Sequence, residues 1–153
     1  MQIRRASAAD ADGIARIINA AFEIERSFRR GPRTSPAEVL AMMTGDTVFL
    51  VAHEDDRLVG AVEVRARGQE GYFGMLAVDS SVRRGGIGRA LVETAEAHCR
   101  AAGCSVMTMS TGENRTELIP YYEKMGYRVT SIEPSANPAF KLPIRVVTME
   151  KPL

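Results

Sequence analysis

The chain has 153 residues, and at roughly 150 residues per domain that length predicts one compact domain, residues 1–153, around one core. Its 20 Lys and Arg nearly cancel 19 Asp and Glu, and a formal net charge of +1 excludes a global field aimed at nucleic acid or a membrane. The content of 45% hydrophobic and 25% charged residues excludes intrinsic disorder, and apolar runs such as Val48 to Ala52 fall far short of the roughly 18 residues of a membrane-crossing helix.

The first residues, Met1-Gln2-Ile3-Arg4-Arg5, contain no apolar stretch of the secretory kind, and Gln2 to Arg5 reads as a short edge strand. Ser7-Ala8-Ala9-Asp10 has capping-box spacing, and Ile14, Ile17, Ile18, Ala21 and Phe22 follow at helical intervals with one buried stripe. A basic segment broken by Gly and Pro, Arg29 to Arg33, leads to a second helix start at Ser35-Pro36-Ala37-Glu38. Thr47 to His53 and Leu58 to Ala66 read as a hairpin turning at Asp55-Asp56. A strand from Tyr72 to Val78, a helix from Gly86 to Ala102 and a strand from Ser105 to Ser110 come next. Glu117 to Met125 is a helix closed by Gly126, and Tyr127 to Ile132 and Ile144 to Met149 are the last strands. The order is β-α-α-β-β-β-α-β-α-β-β, a mixed α/β chain with a largely antiparallel start.

The stretch from Met75 to Leu91 joins a strand, a basic turn, three glycines and a helix. Free N–H groups and about half a positive charge at a helix N-terminus attract phosphate oxygens, and glycines let those oxygens approach the backbone. Arg83, Arg84 and Arg89 add charge, so the segment reads as a pyrophosphate cradle. A P-loop is excluded, because its Gly-x-x-x-x-Gly-Lys-Ser/Thr spacing is absent. A dinucleotide fingerprint fails twice, with Leu91 at the third small position and Thr108 where an acid belongs.

Arg83-x-x-Gly86-x-Gly88 instead resembles the acetyl-CoA signature of the GNAT superfamily of N-acetyltransferases. Val78-Asp79 at a strand end and Tyr122-Glu123-Lys124-Met125-Gly126-Tyr127 extend the resemblance over nearly the whole chain. It implies a mixed, mostly antiparallel sheet of about seven strands with about four helices. It also implies that Leu76, Ala77 and Val78 offer backbone groups to the pantetheine arm, and that Arg84, Gly85, Gly86, Ile87, Gly88 and Arg89 bind the pyrophosphate through backbone amides. Asn114 corresponds to an asparagine widely seen between the fifth strand and fourth helix. The implied activity is acetyl transfer from acetyl-CoA to a primary amine of a small molecule or peptide, by direct attack in a ternary complex and without a metal. The expected setting is the cytoplasm, which two cysteines, Cys99 and Cys104, also suit, and the expected assembly is a monomer or homodimer.

Amines with pKa values of about 8 to 10.4 are mostly protonated at pH 7, so the reaction needs a proton acceptor, an oxyanion donor and a donor for the departing sulfur. The resemblance makes Tyr122 the general acid and the N–H of Val78 or Ala77 the oxyanion donor. Tyr121 points about 100° away from Tyr122 on a helix. No carboxylate lies between Tyr72 and Val78, which leaves Glu63, or Glu23 or Glu25, as the base; each also reads as a solvated surface carboxylate. His53 and His98 have no metal-ligand spacing, and His98 and Cys99, adjacent on a helix, do not face one another. Arg29, Arg30 and Arg33 and the loop Glu133 to Leu142 border the acceptor region in the family, although the arginines read equally as a solvated basic loop. A CoA-binding sensor without turnover is the competing reading, and the missing strand carboxylate is what supports it.

Overall fold

The computed structural model describes residues 1–153, except for the side chains of Arg83 and Arg84. The expected roles of those two guanidinium groups therefore lie outside the described residues. Seven strands form one sheet: β1 (Gln2–Arg5), β2 (Thr47–Glu54), β3 (Arg57–Arg67), β4 (Glu70–Val78), β5 (Val106–Gly112), β6 (Arg128–Pro134) and β7 (Arg145–Pro152). Their spatial order is β1-β2-β3-β4-β5-β7-β6, and every pairing is antiparallel except β4 with β5. Four helices, α1 (Ala11–Ala21), α2 (Pro36–Met43), α3 (Ile87–Ala101) and α4 (Leu118–Glu123), cover its two faces.

Local chemistry sets the helix starts. Ser35 accepts the Glu38 N–H at 3.1 Å ahead of Pro36, and the Ser7 backbone donates to Asp10 at 2.8 Å, completing the capping box. The expected helix after Ser7 begins with a short 3₁₀ turn, Ala8–Asp10, before α1 proper.

Strand β2 is buried on both faces, which is why Val48 to Ala52 forms a continuous apolar run rather than an alternation. Phe49 and Val51 pack with Ile14, Ile18 and Val39 on the α1/α2 side. Val48, Leu50 and Ala52 pack with Leu91, Val92 and Ala95 of α3 on the other. Each fully buried Leu, Ile or Phe contributes about 1.5–3 kcal/mol, so these two layers clamp the sheet and hold the middle of β4 in register.

Two irregularities in the centre of the sheet shape the site. Ala61 pairs with Ala77 and Glu63 with Gly74, so Met75 and Leu76 both stand opposite Val62 in a bulge. Met75 adopts φ 49°, a conformation costly for a side chain with a Cβ. Beyond the bulge the alternation is reset: Gly74 and Met75 fall on the α1/α2 side in succession, while Leu76 and Val78 face α3 and α4. Strand β4 meets β5 only through Glu70, Gly71 and Tyr72 opposite Val106, Met107 and Thr108. From Phe73 onward the two strands part.

Candidate active site

The parting of β4 and β5 opens a cleft of about 840 Å³. Leu76 and Val78 of β4, Met109 and Thr111 of β5, Gly88 of α3 and Tyr122 of α4 line one part of it. A second part, on the α1/α2 side, is walled by Phe22, Phe28, Arg33 and Tyr72.

The floor follows from the ladder. Asp79 donates its N–H to the Val59 carbonyl at 2.9 Å, so the alternation of an antiparallel pair turns the Ala77 amide toward Ala61. The N–H groups of Val78 and Leu76 then point away from β3 into the cleft. Of the two amides the sequence offers for the oxyanion, Val78 is the one left free of the β3 ladder, and Ala77 is spent in it. Asp79 caps the following turn by accepting from Ser81 at 2.9 Å, and the Arg57 guanidinium braces it at 2.9 Å. These bonds hold the Asp79 carboxyl below the usual carboxylate range, the Ser81 backbone donor first.

Above the floor stands the N-terminus of α3. Gly86 takes φ 70°, and a Cβ built there meets nothing within 4 Å, so its surroundings are open to a ligand. Among the described residues no side chain caps this helix, and the first intrahelical bond runs from the Ala90 N–H to the Gly86 carbonyl at 3.0 Å. The N–H groups of Ile87, Gly88 and Arg89 are thus without helical acceptors. The Arg89 side chain, in contrast to the expectation of a charged donor in the cradle, lies along the helix with its Nε 3.0 Å from Glu93; its amide is what it offers. Asn114 is exposed, folds its side-chain oxygen over Gly112 and is not part of the cleft wall.

The two tyrosines of α4 divide their positions. Tyr122 is 5% exposed and packs edge-on against Tyr127 and Tyr121, with ring centroids 6.2 and 5.0 Å away, and at a tilt against Phe73 at 5.7 Å. Among the described residues its hydroxyl has no hydrogen-bond partner, and burial pushes its pKa well up, which keeps it protonated. Tyr121 is half-exposed, and its hydroxyl rests against the backbone of Gly88, where a built Cβ would come within 2.6 Å of it.

The carboxylates fall out differently from the surface reading. Only Glu23 is a solvent-exposed group, paired with Arg26 at 2.9 Å. Glu25 is buried and held from both sides, by Arg29 Nε at 3.0 Å and Arg115 Nη1 at 2.8 Å; Arg115 also donates to Glu117 at 2.7 Å. Glu63 is 4% exposed, its Oε2 is sealed without a partner, and its Oε1 lies against Gly74, where a Cβ would approach it to 2.5 Å. Burial raises its pKa, and Arg65 and then Arg33 pull against that rise.

Arg115, Glu117 and Tyr72 were not singled out by sequence, since an ion-pair chain across 90 residues leaves no local signal. His53 bonds the Asp55 carbonyl at 2.8 Å in a turn, and burial pushes the Cys99 thiol up to about 11, so neither belongs to this chemistry. Among the described residues no cluster of His, Cys, Asp and Glu could hold a metal ion, and no helix is long and apolar enough to cross a membrane.

The parting strands and the glycine-led helix start meet in one cleft. The model of the acetyltransferase (GNAT) family matches residues 14–127, and the chain belongs to that family. An IAA acetyltransferase of Azospirillum brasilense is 36% identical over 84 residues, which cover 54% of this chain and 55% of that protein. The chain therefore matches about half the length of that relative. The crystal structure of a ribosomal-protein-alanine N-acetyltransferase from Brucella melitensis superposes with a TM-score of 0.83 at 19% identity, covering 100% of both chains. A phosphinothricin acetyltransferase from Sinorhizobium meliloti, in complex with AcCoA, superposes at 0.79 and 19% identity over 99% of this chain and 88% of that one. These structures share the fold, and the seven-stranded sheet with four helices anticipated from the sequence is the one observed.

Proposed function

We propose that the chain is an acetyl-CoA-dependent N-acetyltransferase that moves an acetyl group to a primary amine within a ternary complex. The observation that carries this reading is the coincidence of the free α3 N-terminus with the β4–β5 cleft, which offers a phosphate site and a slot for an extended arm in one line.

In this reading the amides of Ile87, Gly88 and Arg89 hold the pyrophosphate, and the backbone edge of Leu76 and Val78 pairs with the pantetheine amides. The Val78 N–H receives the thioester oxygen and stabilises the negative charge that grows there. The amine reacts in its neutral form, its first proton lost to solvent; its nitrogen bonds to the acetyl carbon while Glu63, through the oxygen beside Gly74, takes the second proton, and the carbon–sulfur bond breaks. Tyr122 donates its proton to the departing sulfur, leaving an amide, the CoA thiol, a protonated Glu63 and a phenolate that solvent exchange restores. Burial of both groups suits the division: Glu63 gains basicity from its raised pKa, and Tyr122 remains a donor at neutral pH. Release of CoA thiol from acetyl-CoA, followed with amines, amino acids, polyamines and peptide N-termini, tests the assignment. Binding of CoA with no release for any acceptor would leave the sensor reading in its place.

A further inference from the structure

Among the described residues three buried polar side-chain atoms have no hydrogen-bond partner, Arg33 Nε, Glu63 Oε2 and Arg65 Nε, and of these residues Arg33 lines the α1/α2 side of the cleft. Such atoms are costly to leave unpaired, so the open cleft beside Arg33 favours a polar ligand there. Of the charged residues that line the cleft, Glu25, Arg29, Arg115 and Glu117 satisfy one another. Arg33 alone has no carboxylate partner and no hydrogen bond among the described residues. Its guanidinium lies 5.4 Å from the Phe22 ring centroid, on the cleft wall. It is also held there: Asn19 of α1 accepts from the Thr34 N–H and donates to the Thr34 carbonyl, both at 3.0 Å, anchoring the backbone next to it. Arg65 sits on the Tyr72 ring at 4.2 Å and backs the same region. Burial and the like charge of Arg29 both act against the Arg33 cation, and an anion in the cleft would relieve both.

We infer that the acceptor is a small aminocarboxylate, its carboxylate bound by Arg33 and its amine placed at Gly74 beside Glu63. The inference rests on the acetyltransferase reading and narrows its acceptor. Arginine presents a planar fork that a carboxylate fills with two parallel hydrogen bonds, and a desolvated wall strengthens that pairing. The lining charges, three arginines against two glutamates, also disfavour polycationic acceptors.

Matched acceptors test it: α-, β-, γ- and δ-amino acids, each beside its primary amide, with acetyl-CoA and a thiol-release readout. At least one pair should favour the free acid by about 10–100-fold in kcat/KM, the usual worth of a charge-assisted hydrogen bond. Arg33→Gln should collapse that ratio toward one and Arg33→Lys should restore part of it, while the melting shift caused by CoA stays as in the wild type, which shows that the variants fold. Amides turned over as well as, or better than, their acids would overturn the aminocarboxylate assignment and leave the acetyltransferase standing. So would a preference for acids that survives Arg33→Gln. Failure of CoA itself to bind would instead strike the acetyltransferase reading.

Discussion

Two side chains separate chemistry from packing. Tyr122 is enclosed by aromatic rings, and replacing it by Phe removes one oxygen while keeping those contacts. The expected outcome is a fall in kcat of roughly 10²–10⁴ with CoA affinity nearly unchanged, measured in single turnovers so that slow product release cannot mask it. Near-wild-type rates would hand the sulfur to Tyr121 or water. Glu63 offers a pH signature. Its pKa is raised in the folded state, so its ionisation opposes folding: wild-type and Glu63→Gln melting temperatures should diverge in favour of the variant as pH climbs through the folded pKa, and converge at low pH. The same ionisation creates the base, so the acid limb of kcat/KM should lie above the ordinary glutamate range and vanish in Glu63→Gln. A profile identical in both proteins would remove Glu63 from the mechanism.

At the scale of elements, the segment proposed as a cradle was readable because it is local: a strand end, glycines and a helix start lie within one short stretch, and Gly86 takes the left-handed conformation that only glycine adopts freely. Gly88→Asp places a carboxylate where a built Cβ already comes within 2.6 Å of the Tyr121 hydroxyl, and it sets a negative charge among the free amides of α3. Calorimetry should show CoA binding lost in a folded variant; unchanged affinity would reject the cradle. The place of the bulge was not readable from the residues of β4. Phe73-Gly74-Met75-Leu76-Ala77-Val78 gives no clean period of two, and the extra residue opposite Val62 is set by pairing with β3 rather than by any residue in β4. The surface reading of Glu63 and Glu25 failed for a related reason. Neither strand alternation at Glu63 nor a place just after α1 at Glu25 can say whether the outer face meets solvent or a neighbouring segment, and here Glu63 is buried and Arg29 covers Glu25.

Across the molecule, the strand and helix order was legible throughout because each element carries its own period or cap, whereas the ends shifted by one to three residues, β5 reaching Gly112 and β7 reaching Pro152. What joined the distant parts was invisible. The loop after β6 is stitched to the segment after α1 by Arg30 N–H to Ala139 at 2.7 Å and Lys141 N–H to Phe28 at 3.0 Å, while Arg29 stacks 4.8 Å from the Phe140 ring centroid. A ligand that spans such separate pieces should stabilise them together. CoA at 100 times its Kd should add about 2.7 kcal/mol, or roughly 5–10 °C in melting temperature for a chain of this size, and NAD at equal concentration should add far less. An NAD shift equal to that of CoA would revive the dinucleotide reading.

The three residue pairs that join β4 to β5 leave a length of each strand with an open hydrogen-bonding edge in the middle of the sheet. An open edge normally invites another polypeptide, but α3 and α4 flank this one, and only a slender chain with its own amides can enter. The co-substrate would therefore act as an eighth strand, and its arrival should be visible in amide exchange with deuterium. Leu76 and Val78 should exchange quickly in the free protein and become protected on binding CoA, whereas Ala77, already committed to Ala61, should barely respond.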